Sequence, residues 1–442
     1  MSKQLYVASS VRIITIGQES ILHNLQNGRW IKLCRAVVSL VKQPGYKKKI
    51  TDVLKEEKIL AKDFSELLKL LVSFGFLTEN QNEIFVPSHD PVAAYLNVTN
   101  TCNLECKTCY FGAKKKITTY EMSTVEVMRA MDKIHETGIN YLIVAGGEPL
   151  MRQDIQVLLE YAHRLFQEVT LLTNGILVDK EIAKKIALNT DLVQVSLDGP
   201  DEQTNRQIRG TGSFAGAVKG IRLLKSAGVN VLIVCTVTRI NIPKLPKMAL
   251  LAQTLGVELG SSIFLATGYG ACNERCLSPA WQDLMQDFRE EIFQLNKDDK
   301  IDGSQYTATS NLRIGLSCGS GVQMISVAPD GTIYPCHVLH KPEFAIGNIL
   351  SCGRLIDTLN TSSVTKKFRR LDVDHKIGCK KCDVRYFCRG GCIAQGFASN
   401  GKLDGKDKFC PLFKRVFRTQ VWTINDHMTD KEKANILIGA LK

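Results

Sequence analysis

The chain has 442 residues, 44% hydrophobic and 23% charged, with a formal net charge of +13. That length exceeds a single compact core, so two or three domains are expected in an ordinary globular composition whose positive charge suits an acidic partner or simple solubility. There is no run of about 18 uninterrupted apolar residues, and residues 1–26 lack a basic start followed by an apolar core, so neither a membrane span nor a secretory signal is expected and the cytoplasm is the expected location.

Residues 4–85 read as a small separate unit, with strand-like alternation at 11–15 and helical periodicity over 30–41, 50–57 and 64–74. A short hairpin followed by three helices resembles a winged helix, assigned to residues 1–88. From residue 93 the pattern changes. Apolar runs at 94–98, 141–144, 169–172, 192–197, 229–237 and 262–265 alternate with helix-like segments. One of those helices opens with Ser123 three residues before Glu126, the spacing of a capping box. Strand–helix alternation predicts an α/β fold with a parallel sheet, and six units fit a partial (β/α)6 barrel over residues 89–304. Beyond residue 305 loops and cysteines dominate, with one helix predicted at 412–422, and residues 305–442 form a third unit.

The fifteen cysteines carry the chemical information, because ten of them fall into two spaced sets, at 102–109 and 318–410. In a reducing compartment such spacing points to metal or redox chemistry and not to disulfides. The first set, Cys102-Asn-Leu-Glu-Cys106-Lys-Thr-Cys109-Tyr110, follows the first barrel strand. Three thiolates so placed can hold three irons of a 4Fe–4S cube and leave the fourth iron open to a small ligand. A zinc site would require a fourth protein ligand nearby.

On these residues the chain resembles the radical S-adenosylmethionine (SAM) superfamily. The resemblance implies that SAM chelates the open iron and is split reductively to a 5′-deoxyadenosyl radical that takes a hydrogen from the substrate. It also implies the cofactor contacts. Gly146-Gly147-Glu148-Pro149 matches the segment that receives the SAM amino group, with glycines for close backbone approach and Glu148 as acceptor for an ammonium. Thr173 and Asn174 end the third strand, Ser196 and Asp198 the fourth, where the family meets the ribose, and Arg209 matches a basic residue that meets the SAM carboxylate. All fall where α/β barrels place their sites.

Cys318, Cys336, Cys379, Cys382, Cys388, Cys392 and Cys410 reproduce the spacing of the SPASM extension of this superfamily. The resemblance implies two auxiliary 4Fe–4S clusters, three clusters in all. By analogy Cys379, Cys382, Cys388 and Cys410 hold an outer cluster, and Cys318, Cys336 and Cys392 an inner one. A pair of zinc ribbons is the plainer reading of CxxC spacing. Seven cysteines leave one iron without a protein ligand, so either Cys272 or Cys276 completes the inner set or an open site remains for a substrate thiolate. Cys34, Cys235 and Cys352 are expected to be packed.

The first unit resembles the PqqD-like peptide-recognition domain of enzymes that modify ribosomally made peptides, which pairs a leader peptide along a strand edge. A winged-helix nucleic-acid reader is the competing interpretation, and nucleic acid is not the expected partner. The implied activity is maturation of a precursor peptide, with closure of a cysteine thioether as the leading reaction and a carbon–carbon crosslink or sulfatase-type oxidation as alternatives. The position after Cys336, where sulfatase-maturing relatives carry an aspartate base, holds His337, a candidate base in its own right. A flavodoxin or ferredoxin is the expected electron donor. A cluster-containing regulator or binding protein without catalysis, expected to have lost the SAM-contact segments, is disfavoured, since those segments are present.

Overall fold

In the computed structural model, residues 5–41, 61–80, 82–112, 120–279 and 312–423 are described, with Met428 and Glu432. The predicted helix at 50–57 lies outside the described residues.

The amino-terminal unit is built from β1 (Tyr6–Val7), β2 (Val11–Ile16), β3 (Glu19–Asn24), β4 (Trp30–Cys34) and β5 (Leu77–Thr78), with helices Arg35–Val41 and Ala61–Ser73. β2, β3 and β4 form an antiparallel meander, and β1 pairs with β5. The expected helix over 30–41 is therefore corrected. Its first five residues pair with β3, His23 opposite Trp30 and Glu19 opposite Cys34, and only from Arg35 is the chain helical. The apolar spacing of this segment suits both periods, and the open edge of β3 decides for the strand.

β3 is buried on both faces. Leu22 enters the unit's own core with Val11, Val38, Leu71 and Phe76, whereas Ile21 packs against Ile314, Val373, Tyr386 and Phe387 of the cysteine-rich carboxy-terminal third. Alternation of period two gives one strand to two cores. Full burial of Ile21 alone contributes about 2 kcal/mol. Beside it His23 is buried, its ring 5.0 Å from Tyr386 and 5.1 Å from Phe387, and Trp30 meets Phe387 edge-on at 5.2 Å.

The central sheet runs β6 (Ala93–Asn97), β7 (Tyr141–Ala145), β8 (Glu168–Thr173), β9 (Leu192–Ser196), β10 (Val231–Val237) and β11 (Glu258–Ile263), in sequential parallel order. The last strand lies a few residues before its predicted place at 262–265. The helix Thr124–His135 opens with the predicted capping box, Ser123 and Glu126 bonding reciprocally. The core between sheet and helices includes Leu96, Val144, Leu171, Val195 and Ile233 from the strands and Met131, Leu158 and Ile221 from the helices.

The sheet does not end at β6. β12 (Met324–Val327) pairs parallel to it, followed antiparallel by β13 (Thr332–Tyr334) and β14 (Gly347–Asn348), giving nine strands. These three short strands were not predicted, because each is too brief for a period to show. The helix predicted at 412–422 spans Cys410–Arg418 and continues as a wider turn to Thr423. Among the described residues no helix is long and apolar enough to cross a membrane.

Burial pushes the His23 pKa down from 6.5 to about 4, with the Arg385 cation adding to the effect and bonds to the backbone of Arg12 and Ile21 opposing it. The unfolded chain takes up this proton first, so the stabilising contribution of neutral His23 is complete above pH 6.5 and is lost as pH falls toward 4. The loss amounts to about 3 kcal/mol. Urea unfolding of iron-free protein at pH 7 and pH 4.5 is expected to show this loss, and His23→Phe to flatten it. An identical pH dependence in the variant would dismiss His23 as the source.

Candidate functional site

The loop after β6 carries Cys102, Cys106, Cys109 and Tyr110, and its shape is imposed from two sides. On one side the Glu121 carboxylate accepts from the Thr99 hydroxyl and from the Asn100 backbone N–H, at 2.6 Å. On the other the turn after β7 lies directly against it, with Gly147 N–H donating to Thr99 O at 2.7 Å and Glu148 N–H to Thr101 O at 2.8 Å. A Cβ on Gly147 would stand 2.2 Å from Thr101 O, and one on Gly146 2.5 Å from Thr99 O, where φ is also +144°. Both positions are restricted to glycine by contact with backbone.

Glu148 is held by the fold itself. It is fully buried, and its two oxygens accept from the Thr173 hydroxyl (2.8 Å), the Asn174 N–H (2.7 Å) and the Leu150 N–H (3.1 Å). Burial raises its pKa and these three bonds oppose the rise. The carboxylate thus joins the ends of β7 and β8, with the Thr173 hydroxyl as one of its donors. Pro149 is buried and begins the short turn that follows. Asn174 crosses back to the cysteine loop, donating to Asn103 at 2.7 Å.

Ser196 ends β9 half-buried. Asp198, one turn further, is fully buried and forms an ion pair of 2.7 Å with Arg209 Nε, while its other oxygen accepts from Thr236 N–H at 2.6 Å. Arg209 in turn reaches Cys106 Sγ at 3.9 Å. Burial opposes the charge of Arg209, but Asp198 and Cys106 outweigh it and raise the pKa. A permanently charged guanidinium therefore stands beside Cys106, held by an acid that would cost about 3–5 kcal/mol to remove.

The second cysteine set falls into two groups in space. Cys379, Cys382, Cys388 and Cys410 line one cavity together with Arg385, Lys406 and Lys414. Cys318, Cys336 and Cys392 lie close together: Cys318 raises the thiol pKa of both Cys336 and Cys392, and Cys336 adds to the rise at Cys392. Cys272 and Cys276 are exposed, in two short helical turns beside the first cysteine loop, where Tyr269 N–H meets Cys109 O at 2.9 Å and Asn273 donates to Lys107 O. Cys235 is packed under Asn241, and Cys352 against Ile349 O.

His337 lies between the first and inner sets. Its ring stacks on Tyr95 at 4.1 Å and meets Tyr110 edge-on at 5.4 Å, and its Nδ1 is 4.0 Å from Cys336 Sγ. Burial lowers its pKa to about 4, which leaves it neutral. Burial raises Tyr110, and raises Tyr95 to about 12. His340 stacks on Tyr334 at 4.4 Å and shares a hydrogen bond of 2.9 Å with Ser326. Glu121, Asn103, Tyr95 and His340 escaped the sequence reading. Glu121, Tyr95 and His340 sit in no recognisable motif, and Asn103, inside the cysteine motif, is set apart only by its bond to Asn174.

The donor sets fit iron–sulfur clusters. Burial drives the Cys102, Cys336 and Cys388 thiols up to about 11 and Cys392 to about 12, so each needs a cation to ionise near neutral pH. Among the described residues no three His, Cys, Asp or Glu side chains converge tightly enough to hold a single metal ion. The four sulfurs of the outer set ring a cavity instead. Gly147→Ala is expected to destabilise the fold by about 1–3 kcal/mol through overpacking. Gly353, where a Cβ meets nothing within 4 Å, serves as control, with Gly353→Ala shifting stability by less than about 0.5 kcal/mol. Thermal unfolding compares the two, and equal Tm values would refute the contact argument.

Comparison with known proteins agrees with this arrangement. The family model of the radical SAM superfamily matches residues 96–250, and that of the iron–sulfur cluster-binding domain SPASM matches 318–383. Mycofactocin maturase MftC of Mycobacterium tuberculosis is 31% identical over 335 residues, 72% of this chain and 83% of that protein. PqqA peptide cyclase of Granulibacter bethesdensis is 27% identical over 333 residues, 73% of this chain and 87% of the other. In fold, Streptococcus suis SuiB bound to precursor peptide SuiA aligns with a TM-score of 0.57 at 16% identity, over 91% of this chain and 98% of that one. The match to MftC, with the cysteine loop, the glycine turn and Arg209 brought to one end of a parallel sheet, makes the chain a member of the radical SAM superfamily carrying a SPASM domain.

Proposed function

We propose that this enzyme modifies a ribosomally made precursor peptide. The observation that carries the reading is the meeting, at one end of the sheet, of the Cys102–Cys106–Cys109 loop with Arg209 on one side and the His337–Tyr95 stack on the other. When bound there, a 4Fe–4S cluster with SAM supplies a reductively formed 5′-deoxyadenosyl radical. Cys102, Cys106 and Cys109 would hold that cluster. Gly146 and Gly147 offer backbone to the SAM amino group, Arg209 offers charge to its carboxylate, and Asn174, Ser196 and Tyr110 border the space. His337, neutral and stacked, is the candidate proton acceptor.

The finer reading has three clusters. Cys379, Cys382, Cys388 and Cys410 supply four sulfurs to the outer one, and Cys318, Cys336 and Cys392 three to the inner one, which leaves a coordination place for a substrate thiol. That favours a thioether between a peptide cysteine and a peptide carbon. A carbon–carbon crosslink is the second reading, favoured by the similarity to a PqqA peptide cyclase. In the division proposed here, residues 1–88 form the PqqD-like unit that takes the leader along the open edge of β4, residues 89–304 the barrel and residues 305–442 the cluster domain. The enzyme would work in the cytoplasm with a flavodoxin or ferredoxin as donor.

Iron and sulfide analysis of anaerobically purified protein tests the cofactor reading. About twelve irons per chain are expected, falling to about eight in the Cys102/Cys106/Cys109→Ala variant, with loss of 5′-deoxyadenosine formation. Zinc in the carboxy-terminal set would refute it. Alkylation of the product peptide before mass analysis separates the bond types, since a thioether protects its cysteine and a carbon–carbon bond leaves it reactive.

A further inference from the structure

The segment that carries the outer four cysteines, residues 376–418, contains eleven lysines and arginines against three aspartates. Two of those aspartates are committed within the fold. Asp407 is buried and accepts from the backbone of Cys392 and Phe409, and Asp383 pairs with Arg418 at 2.7 Å. Several of the bases are committed as well: Lys376 is buried on Gly390 O, Arg385 pairs with Asp374, and Lys408 with Glu274. Lys380, Lys381 and Lys406 are exposed, and among the described residues they form no ion pair. Lys406 and Lys414 line the four-cysteine cavity, and the charge of Lys406 is felt at both Cys379 and Cys410.

Next to Gly378, which lines the same cavity, stands an exposed apolar side chain. Ile377, two residues before Cys379, is 92% exposed, more than any other large hydrophobic residue described. Its neighbour Gly378 lies so close to the stem of Lys406 that a Cβ would stand 2.6 Å from it. An exposed apolar side chain in a lysine-rich segment that also lines a four-cysteine cavity has the ingredients of a small, transient, electrostatically steered interface.

We propose that the segment bearing Ile377, Lys380 and Lys381, together with Lys406 and Lys414 at the cavity, is where an acidic one-electron carrier protein of the flavodoxin or ferredoxin class docks. The inference rests on the cluster reading above and adds the entry point for the electron. At the contact one electron leaves the reduced carrier and enters the four-cysteine cluster; no bond is made or broken and no proton moves. The opposite side of the same helical turn, Arg385–Cys388, is covered by the amino-terminal unit through Tyr386 and Phe387, so a carrier reaches this cluster from the lysine side. A nucleic acid would also be drawn to the charge, but it gains nothing from an exposed isoleucine beside the cavity wall.

The test uses the cluster-loaded full chain and an acidic flavodoxin reduced beforehand, mixed anaerobically, with flavin reoxidation followed by absorbance. The second-order rate is expected to fall steeply as salt rises. Lys380→Glu with Lys381→Glu is expected to lower it at least about tenfold at low salt. Ile377→Ser is expected to weaken the complex measured by surface binding of oxidised flavodoxin. Iron content and reduction by dithionite are expected to match the parent in each variant, and the remote pair Lys184→Glu with Lys185→Glu to behave as the parent. An unchanged flavodoxin rate in Lys380→Glu/Lys381→Glu with iron intact would overturn the proposal. So would a single-stranded oligonucleotide that loses binding in this variant while flavodoxin does not. Parent protein that purifies with the first cluster's iron alone would instead remove the cluster reading on which the proposal stands.

Discussion

The carbonyl oxygens of Thr99 and Thr101 press against the backbone of Gly146 and Gly147 with no space for a methyl group between them, and this contact governs the shape of the loop that holds Cys102, Cys106 and Cys109. A cysteine loop of this length has many conformations, and ordering each residue costs about 1–2 kcal/mol of backbone entropy. The fold meets that cost with bonds from outside the loop: the Gly147 and Glu148 amides, the Glu121 carboxylate and the Asn174 amide. Glu148 then locks the supporting turn to β8, so the loop, β7 and β8 behave as one unit. Arg209 approaches from the far side, held in the ionised state by Asp198. The cysteine triad is thus preorganised by backbone contacts, and its chemistry is adjusted by a single cation.

The amino-terminal unit depends on a different constraint. β3 has no solvent-facing side, because Leu22 belongs to its own unit while Ile21 and His23 belong to the interface with the carboxy-terminal third. The helical turn Arg385–Cys388 faces that interface with Tyr386 and Phe387 and the four-thiol cavity with Arg385 and Cys388. Asp374 bonds both Arg385 and the Tyr386 hydroxyl and lies 3.7 Å from Arg12 of β2. Anything that shifts β2 or β3 therefore pushes on a turn whose last residue is Cys388. A peptide paired along β4 lies only two strands away from it.

The chemistry was more legible in the sequence than the architecture around it. Cysteine spacing is a local signal, so the two sets could be read before any fold was known, whereas the division of the second set came only from the family resemblance. The long apolar strands β6 to β10 announced themselves for the same reason. What escaped depends on partners remote in the chain. Segment 30–41 carries apolar residues compatible with helix or strand, and only the free edge of β3 makes its first half a strand. Glu148 reads as a ligand in its motif, and only the placement of Thr173 and Asn174 shows that its carboxylate is already engaged. β12, β13 and β14 are four, three and two residues long, below any period that a sequence can display.

Those three unpredicted strands are what bring the inner cysteines to the first set. β12 pairs parallel to β6 with Ser326 beside Tyr95, and antiparallel to β13 with Ser326 beside Tyr334. Tyr95, Ser326 and Tyr334 consequently stand in a row on one face of the sheet. Each tyrosine in the row carries a stacked imidazole, His337 on Tyr95 and His340 on Tyr334, and Ser326 joins the row to His340. Asn97, from β6, bonds both Ser326 and Val327 O, which fixes the register from the barrel side. A slip of one residue would turn the whole row to the opposite face. His337 would then leave Tyr95 and Tyr110, and Cys336 would move with it. The distance between the triad and the inner thiols is therefore set by the register of a four-residue strand, and Asn97, buried and bonded to that strand, holds the register in place.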